Sequence, residues 1–245
     1  MNKSIQTRAT SLVAAVLLAG LGSASLEAGN LLVDPGFELQ TPVEQGGWLI
    51  FNNEWFQDGV EHSGNWCMAA SGYNSVAGCF EQFPAAPGSQ WRLTGYGMAP
   101  FGIYGSDDNG PNPAYGLIQF SFFDIQGNDL GTVETQKAKY PAKLSNPIDS
   151  STAANAWVSL DTGVATAPKG TVYILAFTIY VEYSGLYWEQ GVYFDDLDLE
   201  IVNANHGQYV SSIALNAGQL KRAGKITGAQ AAAMVETAAK SAGGK

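Results

Sequence analysis

The sequence predicts an all-β fold, an antiparallel jelly-roll β-sandwich carrying a small C-terminal α-helical hairpin. Three observations carry that reading. Between Asn30 and Val202, short runs of β-branched and aromatic residues alternate with Gly-, Pro-, Asn- and Asp-rich punctuation, and no helical periodicity lies between them. Charged residues make up only 14 % of the chain, as suits strands joined by turns. After Val202 the texture changes to alanine-rich segments with apolar residues at helical spacing.

Leu31–Val33 opens the series as a short strand. Gly47–Gln57 (GWLIFNNEWFQ) follows, with an aromatic every few residues. Asn65–Ala70 and Cys79–Phe83 flank a turn region marked by Gly72 and Gly78, and Gln90–Met98 (QWRLTGYGM) alternates well. Gln126-Gly127-Asn128-Asp129, a turn composition, joins Leu117–Asp124 to Leu130–Glu134. Ala167-Pro168-Lys169-Gly170 separates Trp157–Thr166 from Thr171–Tyr183 in the same way. Gly191–Val202 (GVYFDDLDLEIV) closes the set. Its Val192, Phe194 and, beyond the acidic pair, Leu197, Leu199 and Ile201 can face a core. No repeat period of about 20–50 residues is present, so this is not a repeat array.

In the tail, Tyr209–Leu220 and Thr227–Ala242 are the helical candidates, with Val210, Ile213, Ala214 and Ala217 on one side of the first. Thr227 followed three positions later by Gln230 forms a capping box, and Gly224 is placed to end the first helix. The chain thus divides into a leader at 1–24, a sandwich at 30–202 and a helical module at 205–245.

Lys3 and Arg8 precede the apolar run Ser11–Leu21 and the small residues Gly22-Ser23-Ala24, the layout of a secretory signal peptide. The alternative, a membrane anchor, needs about twenty apolar residues, more than this run supplies. Export implies a secreted or cell-surface protein. Removing residues 1–24 takes away two bases and no acids, moving the formal charge from −10 to −12. That balance argues against nucleic acid and against anionic lipid as partners. The charge is uneven: residues 30–202 hold twenty acids and five bases, whereas residues 203–245 hold one acid and five bases. In an exported chain an even pair of cysteines is usually a disulfide. Cys67 and Cys79, twelve positions apart, can face each other across a hairpin, the other reading being two buried thiols. Two cysteines and two histidines make no zinc motif.

Two short motifs bracket the sandwich: Asn30-Leu31-Leu32-Val33-Asp34-Pro35-Gly36-Phe37-Glu38 at its start, and Tyr193-Phe194-Asp195-Asp196-Leu197-Asp198-Leu199 at its end. With Trp48 and Ser63-Gly64 between them in order, this region resembles the carbohydrate-binding jelly-roll modules found beside xylanases and glucanases, which share a galactose-binding-like sandwich. It departs from their pattern at Asp34, where asparagine is commoner, and in a long Asn109–Ala114 loop. The resemblance implies a structural calcium held by Glu38 and by Asp195 or Asp196. Physical chemistry stands beside it. First and last strands often meet in a sandwich, and three carboxylates brought together repel one another unless a cation joins them. Calcium takes six to eight oxygen ligands. The alternative is solvated acids on edge strands. The tail resembles a short helical module seen at the ends of assorted bacterial exported proteins.

A pyranose ring has apolar C–H faces ringed by hydroxyls, so a sugar site pairs flat aromatic surface with hydrogen-bonding groups. The first candidate is the loop Tyr183–Gln190, with Tyr183, Tyr187, Trp188 and Glu189. The second is Gly102–Tyr115, with Tyr104 and Tyr115; Trp55 stands apart from both, and any of these aromatics can equally be packing. No G-x-S-x-G or phosphate loop is present. Glu54 and Asp58 form the best carboxylate pair, without a catalytic frame around them. The sequence therefore predicts a secreted, non-catalytic carbohydrate-binding protein whose partner is a polysaccharide or glycan. The alternative is an extracellular structural or adhesive protein that uses the sandwich for self-association.

Overall fold

The computed structural model describes residues 30–39, 48–52, 54–72, 75–103, 114–130, 132–134, 137–139, 147–183, 191–202 and 206–240. The leader predicted at 1–24 lies outside the described residues. Among the described residues, twelve strands and two helices follow in order. The strands are β1 (Leu49–Phe51), β2 (Glu54–Asp58), β3 (Trp66–Ser71), β4 (Ser75–Pro84), β5 (Gln90–Met98), β6 (Ala114–Phe123), β7 (Thr132–Glu134), β8 (Lys137–Lys139), β9 (Val158–Asp161), β10 (Ala165–Thr166), β11 (Tyr173–Glu182) and β12 (Gly191–Val202). The helices are α1 (His206–Arg222) and α2 (Gly228–Lys240). Among the described residues no helix is long and apolar enough to cross a membrane.

The strands form a four-stranded sheet, β1-β4-β11-β6, and a six-stranded sheet, β10-β5-β12-β3-β2, in which β9 also pairs with β5. β7 and β8 make a separate hairpin, and all pairings are antiparallel. The core lies between the two large sheets. Ala77, Cys79 and Phe83 of β4, Ile118, Phe120 and Phe122 of β6, and Ile174, Ala176 and Tyr180 of β11 meet Met68, Ala70, Trp91, Leu93, Val192 and Phe194 from the other side. At Gly78 of β4 a Cβ would collide with the Thr178 carbonyl, so the closeness of β4 and β11 there requires glycine.

β12 contains a bulge. Its register to β5 shifts between Asp195 and Asp198, and Asp196 holds φ 47°. The extra residue lets Phe194 and Leu197 both face the core, with Leu199 and Ile201 following. The first segment runs along this half of β12. Leu31 donates its N–H to the Leu199 carbonyl at 2.9 Å, Leu197 donates to the Pro35 carbonyl at 2.9 Å, and the buried Asn30 side chain bonds Leu197 and Leu199. The predicted strand at Leu31–Val33 is therefore paired chain without a full ladder. The predicted strand Gly47–Gln57 divides instead, because Asn52 takes φ 61° and turns the chain from one sheet to the other.

The two ends of the sandwich differ. At one end the chain crosses between sheets from β3 to β4, from β5 to β6 and from β11 to β12. The other end is covered by the helices. Tyr209, Ile213, Asn216 and Ala217 form the buried face of α1. Tyr209 packs edge-on against Trp91 at 6.0 Å and donates its hydroxyl to the Pro84 carbonyl at 3.0 Å. Asn216 donates to the carbonyls of Ala85 and Thr171, both at 3.1 Å. α2 adds Met234 and Ala238 to the same core. Its start carries the reciprocal Thr227–Gln230 bonds of a capping box, and Gly224, at φ 68°, ends α1.

The disulfide expectation is corrected. Cys67 and Cys79 are not joined to each other, and both are buried. Cys67 sits in the six-stranded sheet on the face turned away from the core, whereas Cys79 sits in the four-stranded sheet facing inward. The 12-position spacing holds no hairpin, because the chain changes sheets between them. Packed sheets stand about 10 Å apart, beyond the reach of a disulfide.

Candidate functional site

Strand alternation decides which side chains reach the outer face of the six-stranded sheet. In β12, Val192 and Phe194 belong to the core, so Tyr193 and Asp195 point outward. Register then carries this face across the sheet. Ala69 of β3 pairs with both Tyr193 and Trp55 of β2, and Met98 of β5 pairs with Tyr193 on the other side. Val158 of β9 pairs with Gly97, which sets Trp157 opposite Met98. The result is one row, Trp55–Ala69–Tyr193–Met98–Trp157, with an aromatic on every second strand. Strands lie about 4.8 Å apart, so successive aromatics stand roughly 10 Å from one another. Trp55 is 39 % exposed, and Tyr193 and Trp157 are half-buried. Trp55 is oriented by its indole N–H, which donates to Gln57 Oε1 at 3.1 Å on the same face.

Below the row, the segment 59–65 folds across the sheet and is tied to the bulge. Asp195 Oδ2 accepts the backbone N–H groups of His62 at 2.8 Å and Ser63 at 3.1 Å. Asp196 meets His62 Nδ1 at 2.6 Å and accepts the Ser63 hydroxyl at 2.7 Å. The His62 ring stacks on Tyr96 at 3.7 Å and meets Trp157 edge-on at 5.6 Å. Asp195 is fully buried, and burial pushes its carboxyl up to about 6, opposed by the Ser63 N–H and reinforced by the charge of Asp196. Burial likewise pushes the Cys67 thiol up to about 12, with the charges of Asp195, Glu61 and Asp58 adding to it.

Glu38 approaches the same place from the first segment. Its Oε1 accepts the backbone N–H groups of Asn65 at 2.7 Å and Trp66 at 3.0 Å. Gly64, at φ 70°, leaves room for that carboxylate where any side chain would collide with it. A Cβ on Gly36 would stand 3.7 Å from Asp195 Oδ1, from Asp196 Oδ1 and from Glu38 Cγ. Of the three acids named for calcium, Asp195 and Asp196 thus bring a carboxylate oxygen to Gly36, whereas Glu38 passes it with Cγ and turns its carboxylate to Asn65 and Trp66. Their oxygens are the hard donors calcium prefers, but protein N–H and O–H groups already meet them. Among the described residues no group of three or more His, Cys, Asp or Glu side chains is arranged to hold a metal ion.

The predicted sugar residues fall in three places. Trp55 stands in the aromatic row. Tyr115 pairs with Val181 on the outer face of the other sheet, and Tyr183 directly follows β11 at the same end. Tyr104, Tyr187, Trp188 and Glu189 lie outside the described residues. Tyr193, Trp157, Tyr96 and His62 were not foreseen as site residues. The one signal was the position of His62 immediately before Ser63-Gly64.

No known family model matches the chain, and no curated protein matches it. Solved structures do. A crystal structure of the enzymatically active domain of bacteriophage CBA120 tailspike protein 4 is 12 % identical at a TM-score of 0.43, over 71 % of this chain and 21 % of that one. The chain thus spans about a fifth of that tailspike domain. The CBM22-1 xylan-binding domain of Xyn10C from Paenibacillus barcinonensis is 16 % identical at a TM-score of 0.44, over 74 % of this chain and 99 % of that one. A cyclase from Fischerella sp. TAU is 14 % identical at a TM-score of 0.47, over 74 % of this chain and 100 % of that one.

Proposed function

We propose that this protein binds an extended glycan outside the cell, laid across the strands of the six-stranded sheet along Trp55, Tyr193 and Trp157, without altering it chemically. The aromatic row carries the reading. Flat rings at intervals of two strands suit sugar C–H faces, and the intervening Ala69 and Met98 leave no bulky polar group in the path. Gln57 beside Trp55 and His62 beside Trp157 supply hydrogen-bonding groups at the two sides. Trp55→Ala and Trp157→Ala should each weaken binding to the recognised polysaccharide at least about tenfold, as truncating an aromatic anchor does. Affinity gel electrophoresis against a panel of soluble plant and bacterial polysaccharides measures this. A wild-type protein that binds none of them, yet assembles with concentration in light scattering, would sink the reading in favour of self-association.

We also propose that calcium is held by Glu38 and by Asp195 or Asp196, with backbone carbonyls and water completing its shell. The support is the approach of Asp195 Oδ1 and Asp196 Oδ1 to Gly36, which Glu38 Cγ also flanks, and the burial of Asp195 beside a second carboxylate. An ion held only by the folded form must raise the melting temperature, so millimolar calcium should raise it above the value in chelator. Equal melting temperatures in calcium and in chelator would remove the ion from the account.

A further inference from the structure

We propose that the glycan is a single β-1,4-linked chain of the flat, two-fold type, a soluble glucan or mannan, and that five of its rings span the row; this rests on the glycan reading above. Spacing sets the count. Trp55 lies on β2, Tyr193 on β12 and Trp157 just ahead of β9, with β3 and β5 between them. The row therefore covers about 20 Å in two equal steps. An extended β-1,4-linked chain covers each step with two rings. A two-fold screw gives each ring half a turn, so every second ring shows the same face. The first, third and fifth rings then lie on Trp55, Tyr193 and Trp157. The second and fourth pass over Ala69 and Met98, which are buried and offer no ring to stack on.

Sheet twist selects the conformation of the chain. Neighbouring strands turn by about 20–25°, so the platform turns by about 40–50° about the row from one aromatic to the next. A two-fold chain regains its orientation over two rings and follows that turn with a small twist at each linkage. A three-fold chain, such as xylan, is a third of a turn out over the same two rings, so its faces miss every second aromatic. Coiled β-1,3-linked and α-linked chains place their rings at other intervals. The same twist disfavours a crystalline surface, whose rings are coplanar. They cannot follow a platform that turns by about 80–100° between Trp55 and Trp157. A free chain can.

Isothermal titration of the full chain with cello- and manno-oligosaccharides of two to six rings tests this. In the series that binds, affinity should rise about tenfold from two rings to three and again from four to five. It should rise less than about threefold from three to four and from five to six. Trp157→Ala should abolish the rise at five rings and keep the rise at three, because Trp55 and Tyr193 remain. Equal gains for every added ring overturn the alternate-ring contact. Tighter binding of xylohexaose or of β-1,3-linked laminarihexaose, or retention on crystalline cellulose, overturns the flat single chain and leaves the glycan reading standing. So does binding to some other polysaccharide with none to either series. A wild type that binds no glycan at all fells both.

Discussion

Replacing Tyr209 by alanine is expected to lower the free energy of unfolding by about 3–5 kcal/mol, the usual range for emptying a buried aromatic site. Against a typical domain stability of about 5–15 kcal/mol, that is a large share. Tyr209 is 2 % exposed, and it lies across Trp91, which is fully buried at the end of the sandwich. Its removal opens a cavity where α1 meets β5 and takes the hydroxyl from the Pro84 carbonyl. Tyr209→Phe isolates that bond and should cost only about 1 kcal/mol. Urea unfolding of the three proteins separates the two contributions. If the alanine variant loses less than the phenylalanine variant is expected to, the helices are an appendage and not part of the core.

The second large effect depends on pH. Glu81 lies on the inner face of β4 with its Oε2 accepting the Val33 N–H at 3.0 Å, while Oε1 is buried with no hydrogen-bond partner among the described residues. Burial pushes its carboxyl up to about 8, opposed by the Val33 N–H and assisted by the charge of Asp34. In the unfolded chain the same group titrates near its ordinary value of 4.5. Between those two values the unfolded chain has released the proton and the folded protein still holds it. The folded state then binds more protons, so stability falls as pH rises from about 4.5 to about 8, and the loss is complete above that. The total is on the order of several kcal/mol. Glu81→Gln cannot titrate. Its stability relative to the wild type should climb steadily across that window and be highest at pH 9. Unfolding curves of both proteins at pH 5, 7 and 9 check this, and a constant difference would show that Glu81 keeps the same charge in both states.

Where local pattern and tertiary structure agree, the sequence was legible to the residue. Gln90–Met98 and Gly191–Val202 are strands with the predicted bounds, and the inward set Val192, Phe194, Leu197, Leu199 and Ile201 is the observed one. The acidic pair made that possible, because it marks where alternation breaks. The capping residues of α2 were equally readable, since a cap is a contact within four residues. Asn52 was not readable as a corner: its αL backbone leaves the apolar pattern on either side unchanged. The cysteines failed for a related reason. Spacing along the chain does not say which sheet a residue joins. The site was the least legible part. Trp55, Tyr193 and Trp157 are neighbours only through the register of five strands, and no local signal encodes their alignment. Tyr115 looked equivalent to Trp55 in sequence but emerges on the opposite sheet.

The bulge in β12 also shapes how this protein can change. Before Asp196, odd-numbered positions face outward; after it, even-numbered ones do. The strand is thus two segments in different phase, joined at one residue. Drift at 193 alters the proposed glycan row, while drift at 198 or 200 falls beside Thr94 and Arg92, the latter ion-paired to Glu200. The proposed glycan surface and the flank beside it can therefore diverge independently along a single continuous strand.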